Sequence, residues 1–244
     1  MSLRDSLRED LTDSSSANIG EPHALEVVSV DSPNAEGEQH SSLLIIPPVP
    51  YSLENAKVLL LPVRDDFRPL VLHSPLPDIH HVFQYAEALE KRLITLGVKR
   101  SSVFAIGPGG TVGQALAIIA PSLVRRLILL DATARLSPSL LTRVIDRLER
   151  HLPLGLPLHK LGGAFDSRPF LHRIRCPVLV ATSVDASAYA VAQAAFMSEK
   201  IPNAFSLRLS SRTFEYGSLS VELAGLLRTF LQVPVKRPQK GLGA

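Results

Sequence analysis

Residues Ser102–Arg135 read SVFAIGPGGTVGQALAIIAPSLVRRLILLDATAR. Val103–Ile106 is a continuous apolar run that reads as a buried strand. It passes directly into Gly107-Pro108-Gly109-Gly110, and a helix rich in Ala and Ile follows to Ala120, before Pro121. Arg126–Leu130 is a second strand, ending at Asp131. Strand, glycine turn, helix and strand in this order form a βαβ unit, and strands without polar alternation need cover on both faces.

The same alternation extends outward in both directions. Upstream, Leu25–Val30 reads as a strand, followed by the turn residues Pro33, Asn34 and Gly37. Leu43–Ile46 is a short buried strand stopped by Pro47-Pro48, Leu53–Val63 fits either a crossover helix or a strand, and Pro69–His73 is a strand. Asp78 can cap a helix running to Leu96. Its apolar stripe is Val82, Tyr85, Ala86, Leu89, Leu93 and Leu96, and Gly97 supplies the stop. Downstream, Ser137–Leu171 reads as helical or irregular, broken by Pro153, Pro157 and Gly162-Gly163. Val178–Ala181 and Phe205–Leu209 read as strands, Ser187–Lys200 and Ser218–Leu231 as helices. The expected fold class is α/β: a mainly parallel sheet with helices on both faces, spanning residues 25–232, with a small helical cap over 132–168. Residues 1–24 read as a flexible N-terminal arm and 233–244 as a basic C-terminal tail.

Composition narrows the function classes. A chain of 244 residues can form one large domain with a sizeable core. Hydrophobic residues make up 45% and charged residues 20%, which places the chain with globular rather than disordered sequences. No apolar run reaches the roughly 18 residues of a membrane span. Met1–Asn18 lacks the apolar core of a secretory signal, and its acidic residues disfavour a transit peptide, so a cytoplasmic protein is expected. Cys176 is the only cysteine, which excludes an internal disulfide and a CxxC metal site. The formal net charge of +3 includes Lys236, Arg237 and Lys240 in the tail. No element concentrates this charge into a nucleic-acid footprint, so it reads as solvated surface.

Several spaced segments together resemble the α/β-hydrolase superfamily. In that family a strand ends in a G-x-S-x-G-G elbow, followed by a small-residue helix, then P-x-x-V-x-x-L and a strand ending near Asp. Pro121, Val124 and Leu127 match the second half of this pattern at the right spacing. Pro169–Val180 resembles the approach to the strand that carries the acid, and Thr182-Ser183-Val184-Asp185 stands where the family often has G-x-x-D. Ile201-Pro202-Asn203-Ala204 and Glu222–Leu231 resemble the last strand and last helix. The resemblance implies an α/β-hydrolase-like sheet, with the arm and tail outside it.

Residue by residue, the resemblance implies a degenerate member. An elbow serine works because a tight strand-to-helix turn exposes its oxygen beside backbone N–H donors that can hold an oxyanion. With the strand end as anchor, Gly109 occupies the serine position. With Gly109-Gly110 matched to the terminal glycine pair, the helix and Pro121 fall into register, and two residues, the serine among them, read as deleted. Either register leaves no hydroxyl at the elbow. Thr111 formally completes G-x-T-x-G, but using it leaves the helix about one turn short of the family spacing; it reads instead as a helix-start residue bonded to the backbone. The family's base is a histidine on the loop before the last helix. Here Ser210–Gly217 contains none, no histidine follows His172, and Thr213 or Phe214 falls in the slot. Asp185 matches the acid position, yet without a histidine it orients nothing, and it reads as the N-cap of the helix near Ser187. The family commonly has His-Gly after the strand that here is Leu43–Ile46, whereas Pro47-Pro48 removes two N–H groups.

Other constellations are weaker. His73, Asp78, His80 and His81 cluster in sequence, but no second cluster completes a metal set. The Gly107–Gly113 loop could receive an anion at a helix start, yet it has neither Walker nor dinucleotide spacing. Asp131 at a strand end reads as structural. The expected function is therefore a non-catalytic binding or scaffold subunit without a metal or cofactor. Its binding residues would be Gly107, Gly109, Gly110, Pro47 and Pro48, and its partner a protein or a small apolar ligand rather than nucleic acid. The alternatives are an enzyme using non-serine chemistry through Thr111, Asp185, His73 or Asp131, and a subunit held to a partner by its termini.

Overall fold

Alternation along each strand sorts the apolar side chains onto two faces, and two separate cores result. The computed structural model of the chain describes residues 25–29, 41–48, 63, 66–74, 81–136, 165–211, 214–215 and 218–232. The expected arm, the basic tail, Asp78, His80, Thr213, Leu53–Pro62 and most of the cap lie outside these residues.

The strands are β1 (Val27–Ser29), β2 (Ser42–Ile46), β3 (Arg68–Leu72), β4 (Ser101–Ile106), β5 (Val124–Leu130), β8 (Val178–Thr182) and β9 (Ala204–Arg208). They form one seven-stranded sheet in the order β1-β3-β2-β4-β5-β8-β9, parallel throughout except for β1. Two short antiparallel pairs, β6 (Arg135–Leu136) with β7 (Phe165–Asp166) and β10 (Phe214–Glu215) with β11 (Ser218–Leu219), complete the described strands. The helices are α1 (Val82–Thr95), α2 (Gly109–Ile119), α3 (Ala188–Lys200) and α4 (Val221–Gln232).

On one face, Leu44, Ile46, Leu70, Leu72, Val103, Ala105, Leu127 and Leu129 pack against α1, α2 and α3. On the other, Leu43, Ile45, Phe104, Ile106, Ile128 and Leu130 pack against Leu223, Leu227 and Leu231 of α4. The expected α/β architecture with helices on both faces is what the chain adopts. No helix among the described residues is long and apolar enough to cross a membrane.

Side-chain hydrogen bonds accompany several of the places where elements differ from expectation. β4 starts at Ser101 because that buried hydroxyl donates to Ser42 O at 3.0 Å and accepts from Leu44 N at 3.2 Å, which satisfies it across β2. β5 runs through Arg126, whose buried guanidinium donates to Leu231 O near the end of α4, where carbonyls lack intrahelical partners. α1 begins at Val82 with His81 at its N-cap, and Gly97, at φ 75°, ends it as expected.

α4 begins at Val221 rather than Ser218. Ser218-Leu219 pair with β10 instead, and the Ser220 hydroxyl accepts from Leu223 N at 3.3 Å. The segment that separates β5 from β8 leaves and returns through one doorway: Arg135 pairs with Asp166, and Ser167 N donates to Ala134 O at 2.9 Å. A short 3-10 helix, Arg168–Arg173, then leads to β8.

Candidate functional site

The turn from β4 to α2 is a single left-handed step. Gly107 has φ +52°, Pro108 already has helical angles, and α2 starts at Gly109. Matched residue by residue, the six positions from Ala105 to Gly110 fit the G-x-S-x-G-G pattern without any deletion. Counting back from the Gly109-Gly110 pair through Pro108 puts Gly107 at the serine position of the G-x-S-x-G-G pattern, with Ala105 for its first glycine. The other register fails on space. A Cβ on Gly109 would lie 2.6 Å from Ile46 O and 2.9 Å from Pro47 O, so no side chain fits there. A Cβ on Gly107 would meet only Pro48 Cβ, at an ordinary 3.6 Å.

Of the expected binding residues, Gly109, Gly110 and Pro47 are therefore buried packing positions. Gly110 approaches Ala132 so closely that a Cβ would sit 2.3 Å from that residue's own. Gly107 and Pro48 keep partial exposure and face each other across the turn. The residue after the turn is Pro108, which has no N–H to offer, and the facing loop presents Pro47-Pro48, which have none either. The Gly107 N–H is itself used by Leu130 O at 2.8 Å.

Thr111 is buried, and its hydroxyl donates to Pro108 O at 2.9 Å. The expected backbone role holds, but the hydroxyl donates to a carbonyl rather than accepting from an amide as an N-cap does. Behind it, Gln114 is fully buried and joins α2 to the doorway of the insertion. Its amide donates to Thr133 O at 3.0 Å, and Ser167 Oγ donates to its Oε1 at 2.5 Å. The sequence reading missed this pair, since Gln114 and Ser167 lie 53 positions apart with no motif linking them.

At the ends of β5 and β8, Asp131 holds φ +50° and accepts from Ser183 N at 2.8 Å and from Ser183 Oγ at 2.6 Å. This carboxylate ties two strand ends together, as its structural reading expected. Asp185 is exposed and makes no hydrogen bond or ion pair with the described residues. Its expected N-cap role is corrected: Ser187 caps α3, accepting from Ala190 N at 3.1 Å, because it directly precedes the first helical residue.

The loop after β9, where the resemblance places a base, is held by a carboxylate. Glu222 accepts from Ser210 N at 3.1 Å, Ser210 Oγ at 3.0 Å and Ser211 N at 2.8 Å. Hydrogen bonding from the Ser211 side chain first, and then from the Ser210 amide, holds its carboxyl down at about 2. Ser211 Oγ also bonds Ser220 Oγ at 3.2 Å, so the loop is stitched to the start of α4. Phe214 lies in the short β10 strand.

The remaining candidates do not converge. The His73 amide continues the β1–β3 pairing to Glu26 O at 2.8 Å, and His81 Nδ1 bonds Gln84 Oε1 at 2.9 Å on α1. The described residues include no group of three or more His, Cys, Asp or Glu that could hold a metal ion. Cys176 is buried, which pushes its thiol up to about 12 and leaves it unreactive at neutral pH.

No family model and no curated protein matches the chain. Solved structures do. The enol-lactonase from Burkholderia xenovorans LB400 superimposes with a TM-score of 0.66 over 86% of this chain and 98% of its own, at 16% identity. MGS-M2, an alpha/beta hydrolase enzyme from a Medee basin deep-sea metagenome library, gives 0.62 over 88% and 96%, at 14% identity. MenH from S. aureus gives 0.61 over 86% and 98%, also at 14%. Likeness at this level of identity extends to backbone architecture: the chain has the α/β-hydrolase fold, with a seven-stranded, mainly parallel sheet and helices on both faces.

Proposed function

We propose that this chain is a non-catalytic protein built on the α/β-hydrolase fold, acting as a binding or scaffold subunit. The observation that carries this reading is the pair Gly107-Pro108 at the elbow. Ester cleavage on this fold asks two things of the turn: a nucleophilic oxygen, and an N–H on the following residue to hold the oxyanion. Glycine lacks the first and proline the second. Loss of one oxyanion donor alone costs about 10²–10³ in kcat. The facing Pro47-Pro48 adds no donor, and no histidine after His172 can serve as a base. Thr111 does not substitute, because its hydroxyl is buried and already donates to Pro108 O.

A ligand on this fold would approach Gly107 and Pro48, which keep exposure, while Gly109, Gly110 and Pro47 shape the surface from behind. The groups there are glycine and proline, which favours a small apolar molecule or a protein segment over a charged substrate. The test is hydrolysis of short p-nitrophenyl esters by the full chain. Turnover is expected at the uncatalysed rate, and Gly107→Ser alone is expected to add nothing, since the oxyanion donor and base stay missing. Turnover that Thr111→Ala or Asp185→Ala abolishes would overturn the reading in favour of non-serine chemistry in the same cleft.

A further inference from the structure

The last strand of the sheet has an open edge, and its chemistry fits a second copy of itself. Among the described residues, β9 pairs only with β8 in the seven-stranded sheet. Two bonds define which way its backbone faces: Val178 N donates to Asn203 O at 2.9 Å, and Leu209 N donates to Thr182 O at 2.7 Å. Odd-numbered residues therefore turn their amides and carbonyls to β8, and Ala204, Ser206 and Arg208 turn theirs outward. The side chains on the odd face are unusually exposed for their type. Phe205 is 61% and Leu207 40% exposed, and Phe205 meets Phe230 of α4 edge-on at 6.4 Å. The strand, Ala-Phe-Ser-Leu-Arg, has one charge, Arg208 at its end, no proline, and a pairing with β8 that has no bulge. An exposed edge so lightly guarded is a template for another strand.

The geometry points to a two-fold dimer in which β9 pairs antiparallel with β9 of a second copy, centred on Ser206. In this register the two Ser206 residues exchange both N–H···O=C bonds. Each Arg208 N–H reaches the Ala204 carbonyl of the other copy. The outward amide that this leaves unserved, Ala204 N, is already bonded to Ile201 O at 3.3 Å. Phe205 then stands opposite Leu207 of the copy in a non-hydrogen-bonded pair, where side chains approach most closely and aromatic–aliphatic contact is favourable. Both such pairs lie on the face that carries Phe230, so the exposed apolar side chains of the two copies cover one another. Arg208 faces Ala204, so no like charges are opposed. A strand from an unrelated protein could use the same amides; a second copy in addition matches Phe205 to Leu207 twice about one axis. The sheet becomes continuous across both copies.

Light scattering coupled to size exclusion, run on the full chain over a micromolar dilution series, tests this. Wild type is expected at twice the chain mass. Ser206→Pro removes the exchanged amide at a position where an edge strand tolerates proline, and Leu207→Lys places a charge in the cross-strand pair. Both are expected to halve the mass while leaving the far-UV circular dichroism spectrum unchanged. If Ser206→Pro fails to fold, Leu207→Lys decides alone. A monomeric wild type, or a dimer that survives in every folded variant, would overturn the proposal.

Discussion

The two sides of the fold's usual catalytic cleft keep their shapes in opposite ways. On the elbow side, shape comes from atoms that are missing. Gly109, Gly110 and Gly113 let α2 lie against β2, β4 and the loop after β5 at distances that no Cβ would permit. On the opposite side, the loop after β9 takes its shape from an added charge, with Glu222 gathering the Ser210 and Ser211 amides. Steric closeness tolerates no enlargement, because backbone cannot give way cheaply. A solvent-facing carboxylate clasp is replaceable at small cost, because water competes for each bond. Packing by itself therefore demands those glycines, whatever chemistry the turn does or does not carry.

Three substitutions would break or sharpen this contrast. Gly110→Ala forces its new methyl to within 2.3 Å of Ala132 Cβ, and is expected to destabilise by about 3 kcal/mol in urea denaturation, at the upper end of overpacking costs. A loss below that of an ordinary surface change would show that the elbow packing can slide. Gly107→Ala has room, with only Pro48 Cβ at 3.6 Å, so it bears just the left-handed backbone cost of about 1–2 kcal/mol. If it destabilises more than Gly110→Ala, the steric account of the elbow is wrong.

Glu222→Gln is expected to have the smallest effect, and one that depends on pH. The folded-state carboxyl is depressed from 4.5 to about 2, so its stabilisation is fully present above 4.5 and disappears as pH falls toward 2. The variant should be slightly less stable at neutral pH, and the gap should close across that acid window. A gap that stays constant with pH would mean that the carboxylate charge contributes nothing to the clasp.

Much of this was legible in sequence, and the misses have local causes. Runs such as Leu43–Ile46 and Leu127–Leu130 announce buried parallel strands because neither face alternates with polar residues. Pro121, Val124 and Leu127 placed the helix and next strand correctly. The different roles of the elbow glycines were missed because sequence alone does not say which one carries the positive φ and which lacks room for a methyl. Asp185 was taken for a cap because it is a good capping residue near a helix start, but Ser187 stands nearer. Glu222 was passed over because its partners lie eleven and twelve positions upstream, across a hairpin.

The sequence by itself determined the layered α/β architecture and the residue types around the elbow, including the absence of a later histidine. These depend on periodicity and identity, which are local properties. Only the tertiary structure decided that Gly107 carries the left-handed turn and that Gly109 and Gly110 have no room for a side chain. It also decided that Gln114 meets Ser167 and that β9, among the described residues, pairs on one side only, with Phe205 and Leu207 exposed. Each of these depends on which distant backbone segment lies within a few ångströms, and chain closure sets that, not local propensity.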